Sequence, residues 1–329
     1  MRKPDGSTTM LCGLMSFRVT LDQDSVLGGR LAAEIDADFF GGQQPSSGGR
    51  THPLLRLRRA VAEVRWRGGA ILIGQEAPPI SELNPVSVAS VGFPEFSASS
   101  NLWLWLPQVR ALAWLNRGRR VRLGLEATAL APNAATAQPA FLTEPDSAEA
   151  TGRPAFEGRM LMRWGTGDTR GELSVGGHIG WLRSLGGNQV TSRALAVSLR
   201  APLSTHFEIR AEAFHGRALA GLGGGGVGQS LTTSGDALVT TGGWLQLVAK
   251  PASSLELALG AGTDHPRTSA GAVPSGNRLR NSELSGQLLW RAEPLFVGLG
   301  IRHLATRYGA PLGSTVKNTQ LNLALGVEF

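Results

Sequence analysis

The sequence is poor in cysteine and shows no clustering of histidine. Cys12 is the one cysteine among 329 residues, which excludes an internal disulfide framework or a cysteine metal site. The six histidines lack the spacing of metal ligands, and no G-x-S-x-G nucleophile motif occurs. We therefore expect no catalytic residues, no metal site and no cofactor, and the chain is not predicted to be an enzyme.

Long apolar runs are missing as well. Hydrophobic residues make up 42% of the chain, yet no stretch reaches the roughly 18 consecutive apolar residues of a membrane helix. The densest stretch, 101–115, is interrupted by Pro107, Gln108 and Arg110. A helical membrane protein is therefore excluded.

Lysine is scarce although the formal net charge is +7, because Lys3, Lys250 and Lys317 are the only lysines. The arginines that carry the remaining positive charge are spread singly along the chain and alternate with apolar residues. Proteins that bind nucleic acid concentrate basic residues on one face or in runs. We therefore expect no nucleic-acid partner.

The dominant feature is a strict alternation of apolar and polar residues in segments of about 8 to 12 residues. The last segment is the clearest, since Leu321, Leu323, Leu325, Val327 and Phe329 alternate with polar or small residues. A strand places such sets on opposite faces. The sequence predicts about fifteen strands, which begin near Met15, Gly29, Leu54, Ala70, Leu102, Arg120, Pro154, Gly171, Val190, Thr205, Ala237, Ser254, Arg278, Leu295 and Asn318.

Alternation alone also fits a soluble sandwich or propeller, and the connections discriminate better. Short turns alternate with long polar connections, the one near 183–189 excepted, as in up-and-down outer-membrane barrels. Apolar-face tryptophans beside these connections fit an aromatic girdle at the membrane interface: Trp66, Trp164, Trp181 and Trp290. We predict an all-β fold, a transmembrane up-and-down antiparallel β-barrel over residues 15–329, with about 15 strands visible of an expected 16.

Several stretches resemble the DcaP-like trimeric outer-membrane porins, in a consistent order over most of the chain. They are GGRLAAEIDADFFGG (28–42), LRLRRAVAEVRW (55–66), ILIGQE (71–76), LNPVSVASVGFPEFSASSNLWLWLPQVR (83–110), GGWLQLVAKP (242–251), RLRNSELSGQLLWR (278–291) and LNLALGVEF (321–329). The resemblance implies a sixteen-stranded, usually trimeric barrel that passes small organic anions. Phe329 ends a strand similar to the terminal strand that the outer-membrane assembly machinery reads, so we expect it to serve as an assembly signal.

Charged residues on the polar strand faces are the candidate pore-lining or solute-binding residues. An arginine facing lipid at the midplane would cost about 2–4 kcal/mol, so a water-filled lumen is the natural place for these side chains. Arginine also offers forked donors that match carboxylate and phosphate. The alternative is that most of them are cross-strand ion pairs in the wall. The candidates are Arg59, Arg110, Arg122, Arg159, Arg163, Arg210, Glu63 and Asp36.

Further expectations concern connections and ends. The loop 77–101 carries prolines and apolar residues such as Val86 and Val88, which favours a constriction folded into the lumen over a cap or a subunit contact. The glycine run 221–228 is expected to be a flexible outer loop. Residues 1–14 are expected to be an irregular or truncated N-terminal segment without a convincing signal peptide. Because barrels of this kind have an even number of strands, we expect one further strand upstream.

The leading interpretation is a porin of the bacterial outer membrane that lets small hydrophilic solutes diffuse passively and prefers small organic anions. Its expected partners are outer-membrane lipid, two further copies in a homotrimer and the assembly machinery. Two alternatives stay open at this point. They are an outer-membrane barrel with an adhesin or enzyme role and a soluble all-β binding protein.

Overall fold

A computed structural model describes residues 16–41, 54–88, 94–97, 99–116, 120–135, 145–184, 186–267 and 272–327. Within them the chain forms fifteen strands and four single-turn 3-10 helices, and no helix there is long and apolar enough to span a membrane. The strands are β1 Ser16–Val26, β2 Gly29–Gly41, β3 Leu54–Trp66, β4 Gly69–Glu76, β5 Leu106–Trp114, β6 Val121–Leu130, β7 Ala155–Trp164, β8 Gly171–Arg183, β9 Gln189–Pro202, β10 Phe207–Arg217, β11 Val239–Ala252, β12 Leu255–Arg267, β13 Arg278–Ala292, β14 Leu295–Tyr308 and β15 Thr315–Val327. The 3-10 helices are Pro79–Ser81, Glu149–Thr151, Gly167–Thr169 and Ala220–Leu222.

The strands form one sheet in which each strand pairs antiparallel with the next along the chain. This confirms the predicted up-and-down barrel architecture and the count of fifteen strands. The first and last strands, β1 and β15, are the two edges of the described sheet, which is not closed between them. The predicted sixteenth strand stays a prediction, and residues 1–14 lie outside the described residues.

The two ends of the barrel differ in their connections. Tight turns such as 27–28, 67–68 and 293–294 join strands at one end, which we call the short-turn end. The other end, the long-loop end, carries the segments 77–105 and 218–238. The expected alternation of short turns with long connections fails between β14 and β15, because only residues 309–314 separate these two strands.

The two faces of the wall have opposite chemistry, as the alternation requires. In β15 the outward Leu321 and Leu325 are 81% and 70% exposed, whereas Asn322 lies on the inner face. Exposed Leu, Ile, Val, Phe or Met side chains recur on outward faces from β1 to β15. A soluble sandwich buries such a face, so the largely apolar exterior is that of a barrel in lipid. Phe329 lies outside the described residues.

The predicted girdle tryptophans end or border strands. At the short-turn end, Trp66 Nε1 donates a hydrogen bond to Leu27 O at 3.0 Å, Trp164 ends β7, and Trp290 is partly exposed on the outward face of β13. At the long-loop end, the guanidinium of Arg153 lies 5.6 Å from the ring centroid of Trp181. The rings of Trp66 and Trp181 thus combine an apolar body with a polar or cationic neighbour, which suits a membrane interface.

We expect Leu323→Arg to destabilise the folded barrel by about 2–4 kcal/mol, because the new guanidinium would face the hydrocarbon near the middle of β15. The matched change Asn322→Arg, one residue earlier, places the same group on the inner face and should have little effect. Unfolding by denaturant in lipid vesicles measures the difference. Equal losses for the two variants would show that β15 does not separate lipid from water.

Candidate solute pathway

The segment between β4 and β5, residues 77–105, is called the luminal segment here, because its described residues lie inside the barrel. It leaves the wall at the end of β4, where Arg110 of β5 donates a hydrogen bond to Ala77 O. Gln108 Nε2 donates to Glu76 O at 2.7 Å in the same place. Because Gln108 and Arg110 are both buried inner-face side chains, the segment turns inward directly after β4.

The first anchor of the luminal segment is Arg159 of β7, whose side chain is only 1% exposed. Its Nη1 donates to Pro79 O at 2.9 Å, and its Nε lies 2.5 Å from Glu126 Oε2 of β6. Its Nη2 pairs with Glu82 of the segment. A buried guanidinium has to satisfy its donors, and these partners join two strands to the segment.

Glu82 carries the charge that completes this anchor. Burial raises the pKa of a carboxyl group, but attraction by Arg159 and then by Arg110 outweighs it and lowers the pKa of Glu82 to about 2. Because 37% of its side chain stays exposed to the lumen, water screens part of this attraction. Glu82 is therefore charged throughout the neutral range.

The middle of the luminal segment is held by neutral amide groups of β11 and β13. Val86 N donates to Gln246 Oε1 at 2.8 Å, and Gln246 Nε2 returns a bond to Val86 O at 2.8 Å. Val88 N donates to Gln287 Oε1 at 2.6 Å, and Gln287 Nε2 also donates to Val86 O. The side-chain amides thus take the place of a neighbouring strand and satisfy the buried backbone.

The far anchor lies on β13 and β14. Arg302 Nε lies 2.6 Å from Glu283 Oε1 and 2.8 Å from Glu95 Oε1, and its N–H points to Glu283. Ser87 Oγ donates to Glu95 at 2.7 Å, and Ser99 Oγ donates to Glu283 at 2.8 Å. Two carboxyl groups therefore share one guanidinium where the luminal segment turns back.

Apolar packing guides the return path. The ring of Phe96 stacks on Trp244 of β11 with centroids 5.9 Å apart, and Leu102 N donates to Glu212 of β10 at 3.3 Å. The luminal segment therefore contacts inner faces from β5 around to β14 before it rejoins the wall at Leu106.

A second segment between β10 and β11, 218–238, packs against the first. Trp103 N and Leu104 N both donate to Leu222 O, at 3.0 and 3.2 Å. Leu102, Leu219 and Leu222 belong to a buried apolar cluster inside the barrel. The glycine run 221–228, expected to be a flexible outer loop, is instead packed inward, since a Cβ on Gly224 would lie 2.1 Å from Asn101 O.

A polar cavity of about 970 Å³ remains at the short-turn end, between the luminal segment, strands β3 to β7 and the turn before β8. Its charged lining is eight arginines against four carboxylates. The arginines are Arg59, Arg65, Arg67, Arg110, Arg120, Arg122, Arg163 and Arg170, and the carboxylates are Glu63, Glu76, Glu82 and Glu126. The cavity therefore carries an excess of positive charge.

Trp114 gathers two of these arginines at the cavity wall. The guanidinium carbons of Arg122 and Arg163 lie 3.8 Å and 5.3 Å from its ring centroid. Arg163 also pairs with Glu172, whereas Arg122 Nε is buried without a hydrogen-bond partner among the described residues. The indole face attracts both cations and holds them side by side without neutralising them.

Arg170, in the turn before β8, extends this positive group. Burial lowers its pKa below the ordinary value, and repulsion by Arg163 adds to the effect, against attraction by Glu172. The group nevertheless stays protonated, because arginine does not lose its proton in proteins near neutral pH.

Five of the eight residues predicted from the sequence line the cavity. They are Arg59, Glu63, Arg110, Arg122 and Arg163. Their charges are compensated to different degrees: Arg59 pairs with Glu76 and lies 2.5 Å from Glu34, whereas Arg122 lies beside the indole ring and Arg163 and has no carboxylate partner among the described residues. The alternation of polar and apolar residues thus predicted which charged residues line the cavity. It did not predict which of these charges lack a partner of opposite charge.

The other three candidates lie elsewhere on the inner face. Arg159 is enclosed by the first anchor, and Arg210 Nη1 donates to Asn84 O of the luminal segment at 3.3 Å. Asp36 is buried in the wall, 3.1 Å from Arg18. Sequence reasoning missed three residues of the site because their role depends on which strands and turns meet across the lumen. They are Trp114, Glu82 and Arg170.

Comparison with solved structures finds proteins with a similar architecture. The chain is similar to the outer membrane channel DcaP of Acinetobacter baumannii, with a TM-score of 0.65, 15% identity and coverage of 96% of this chain and 85% of that one. It is also similar to the anion-selective porin from Comamonas acidovorans, with a TM-score of 0.55, 11% identity and coverage of 94% and 89%. It is similar as well to the trimer form of OmpT from Vibrio cholerae, with a TM-score of 0.53, 11% identity and coverage of 97% of this chain and 92% of that one.

The chain has the fold of an outer-membrane porin. The resemblance drawn from the sequence is thereby confirmed at the level of the fold, and the neighbours include proteins of the bacterial outer membrane. No protein-family model matches the chain, and no characterised protein matches it by sequence. What the porin fold does in this chain has to be argued from its own residues.

The far anchor should respond to pH near neutrality. Burial and the neighbouring Glu283 raise the pKa of Glu95 to about 7, against the attraction of Arg302. A raised carboxyl pKa stabilises the folded contact most at low pH, and this contribution is lost as the pH rises through about 7. We expect current fluctuations in planar bilayers to increase from about pH 6 to about pH 8.

Glu95→Gln should remove this dependence, because the amide cannot ionise. Glu82→Gln is the control, since the pKa of Glu82 lies near 2 and its loss should leave the step near pH 7 in place. A step of equal size in the Glu95→Gln channel would assign the pH response to another group.

Proposed function

We propose that this chain is an outer-membrane porin that lets small hydrophilic solutes diffuse passively and prefers small organic anions. The observation that carries the proposal is the cavity at the short-turn end, where eight arginines face four carboxylates. Rings of arginine or lysine favour anions in pores. The name of one neighbour, the anion-selective porin from Comamonas acidovorans, describes the same preference in a protein with this fold.

The arginines of the cavity differ in how far their charge is neutralised. Arg59 is compensated by Glu34 and Glu76, and Arg163 by Glu172. Arg122 and Arg170 have no ion pair within the described part of the chain, and both stand beside Arg163. Arg67 and Arg120 of the lining also lack an ion pair there, so Arg122 and Arg170 are two of four uncompensated arginines that would attract an anion.

The luminal segment supports a second part of the proposal, that it constricts the pore. It is tied to inner-face side chains of β5, β7, β11, β13 and β14, so it has little freedom to swing out. Together with 218–238 it forms a buried apolar cluster inside the barrel toward the long-loop end. A solute would have to pass beside it before it reaches the basic cavity.

Orientation and assembly complete the proposal. Short turns face the periplasm and long loops face outward in barrels of this kind, which puts the basic cavity on the periplasmic side. A homotrimer, contact with outer-membrane lipid and recognition of Phe329 by the assembly machinery remain proposals drawn from the resemblance. The trimer form of the Vibrio cholerae protein supports the first of these.

Replacing Arg122 and Arg170 together with alanine should weaken the anion preference. The double change would halve the excess of positive charge on the cavity lining. The reversal potential under a salt gradient should therefore shift toward the value of a cation-selective channel. Because the field of solvent-exposed charges is screened, the shift should shrink as the ionic strength is raised.

Arg307→Ala is the matched control, since Arg307 is an exposed arginine on the outward face of β14. It should leave the reversal potential unchanged. An unchanged potential in the Arg122→Ala, Arg170→Ala channel, or an equal shift in the control, would contradict the assignment of selectivity to the cavity.

The constriction is tested by releasing the middle of the luminal segment. Gln246→Ala with Gln287→Ala removes the amide bonds to Val86 and Val88, so the segment should move more and the single-channel conductance should rise. Gln320→Ala is the control, because Gln320 lies on the inner face of β15 and has no hydrogen bond to the segment among the described residues. A double variant that conducts like the wild type would argue against a constricting role.

A further inference from the structure

The outward face of β9 to β15 carries a row of basic side chains near the long-loop end. It interrupts the apolar exterior where the strands approach the membrane surface. The row is Arg193, Arg217, Arg267, Arg280, Arg307 and Lys317. The outward faces of β2 to β15 bear no Asp or Glu in the part of the chain that the structure describes.

Arg193 and Arg217 form the most crowded point of this row. They lie directly opposite each other on β9 and β10, and neither forms an ion pair with a carboxylate among the described residues. Like charges in directly opposed positions destabilise a sheet. The pair is therefore an unfavourable arrangement for the isolated chain, and an anion bound between the two guanidiniums would relieve it.

An apolar groove of about 630 Å³ leads away from this pair along the outer wall. Its lining includes Gly158 and Gly177 together with Phe156, Ile179 and Leu195. The glycines leave a channel between larger neighbours, since a Cβ on Gly177 would sit 3.6 Å from Leu195 Cδ2, in ordinary contact. The groove thus has an apolar lining and ends at two arginines without carboxylate partners.

We propose that Arg193, Arg217 and this groove bind an acylated, phosphate-bearing lipid of the outer leaflet. Guanidinium groups match the oxygens of phosphate with forked, charge-assisted hydrogen bonds. In this site an acyl chain fills the groove. The phosphate lies beside the two arginines, because their row near the long-loop end is at the level of the membrane surface. The site goes beyond the proposed transport function and depends only on the barrel's place in the bilayer.

A second copy of the chain does not fit this surface equally well. Its described outward faces from β2 to β15 have no carboxylate to set against Arg193 and Arg217. Two such faces in contact would add to the like-charge repulsion. Charge complementarity therefore favours an anionic lipid over a subunit contact.

Native mass spectrometry of the detergent-solubilised barrel, titrated with bisphosphorylated lipid A, tests the site. We expect Arg193→Gln with Arg217→Gln to weaken binding roughly tenfold or more, since the charge-assisted hydrogen bonds to the phosphate are lost. The control Arg307→Gln with Lys317→Gln removes the same charge from β14 and β15 and should bind as the wild type. Gly177→Leu should also weaken binding, because the new side chain fills the groove while both arginines stay.

Dephosphorylated lipid A should bind the wild type weakly. Equal losses in the two double variants would reduce the effect to diffuse attraction and overturn the proposal, as would unchanged binding in Arg193→Gln with Arg217→Gln. A change in oligomeric state without a loss of lipid would make this face a subunit interface, which also overturns it. Channel conductance should be the same in all variants, so this result stands apart from the test of transport.

Discussion

The barrel wall is a single layer of strands with lipid on one side and water on the other, and the rest of the structure follows from this constraint. Successive side chains point to lipid and to the lumen in turn, so a charged residue at the wrong parity would meet hydrocarbon. Except along the outer edges of β1 and β15, the backbone donors and acceptors pair between neighbouring strands, as a bilayer requires. Most charges of β2 to β8 therefore collect on the inner face, where their partners are water, the luminal segment and one another.

The crowded inner face in turn determines how the luminal segment is held. An extended backbone crossing the lumen exposes amide and carbonyl groups that need partners. Arg110 and Arg159 supply donors to carbonyls near its start, while Gln246 and Gln287 supply both donors and acceptors at its middle. Polar side chains of the wall thus form the hydrogen bonds that a helix or a neighbouring strand would otherwise give to the backbone of the segment.

The alternation of residues was enough to predict the strand count, the order of pairing and the faces, because a period of two is a local property. It failed at β5, which was expected to begin near Leu102 and begins at Leu106. Residues 102–105 continue the apolar pattern, but Leu102 packs with Leu219 and Leu222 of another segment rather than with lipid. Local sequence does not distinguish an apolar residue that faces lipid from one that packs inside the lumen.

The same limit applies to the site. Parity placed Arg59, Arg122 and Arg163 on the inner face, where they line the cavity. It could not separate them from Arg159, which is enclosed by partners on the wall and on the luminal segment. That distinction depends on where the luminal segment runs. Trp114 carried no signal of its own, because an aromatic residue at the end of a strand has many ordinary uses.

The mixed chemistry of the anchors has a consequence for the response to ionic strength. The two ends of the luminal segment are held by ions, through Glu82 and Glu95, whereas its middle is held by the neutral amides of Gln246 and Gln287. Salt screens charges that water reaches, so it weakens the contact of Glu82, whose side chain is 37% exposed, more than the buried pair at Glu95, and it leaves the amide bonds almost untouched. A rise in ionic strength should therefore loosen the luminal segment first near Glu82, while its middle and its far anchor keep their places.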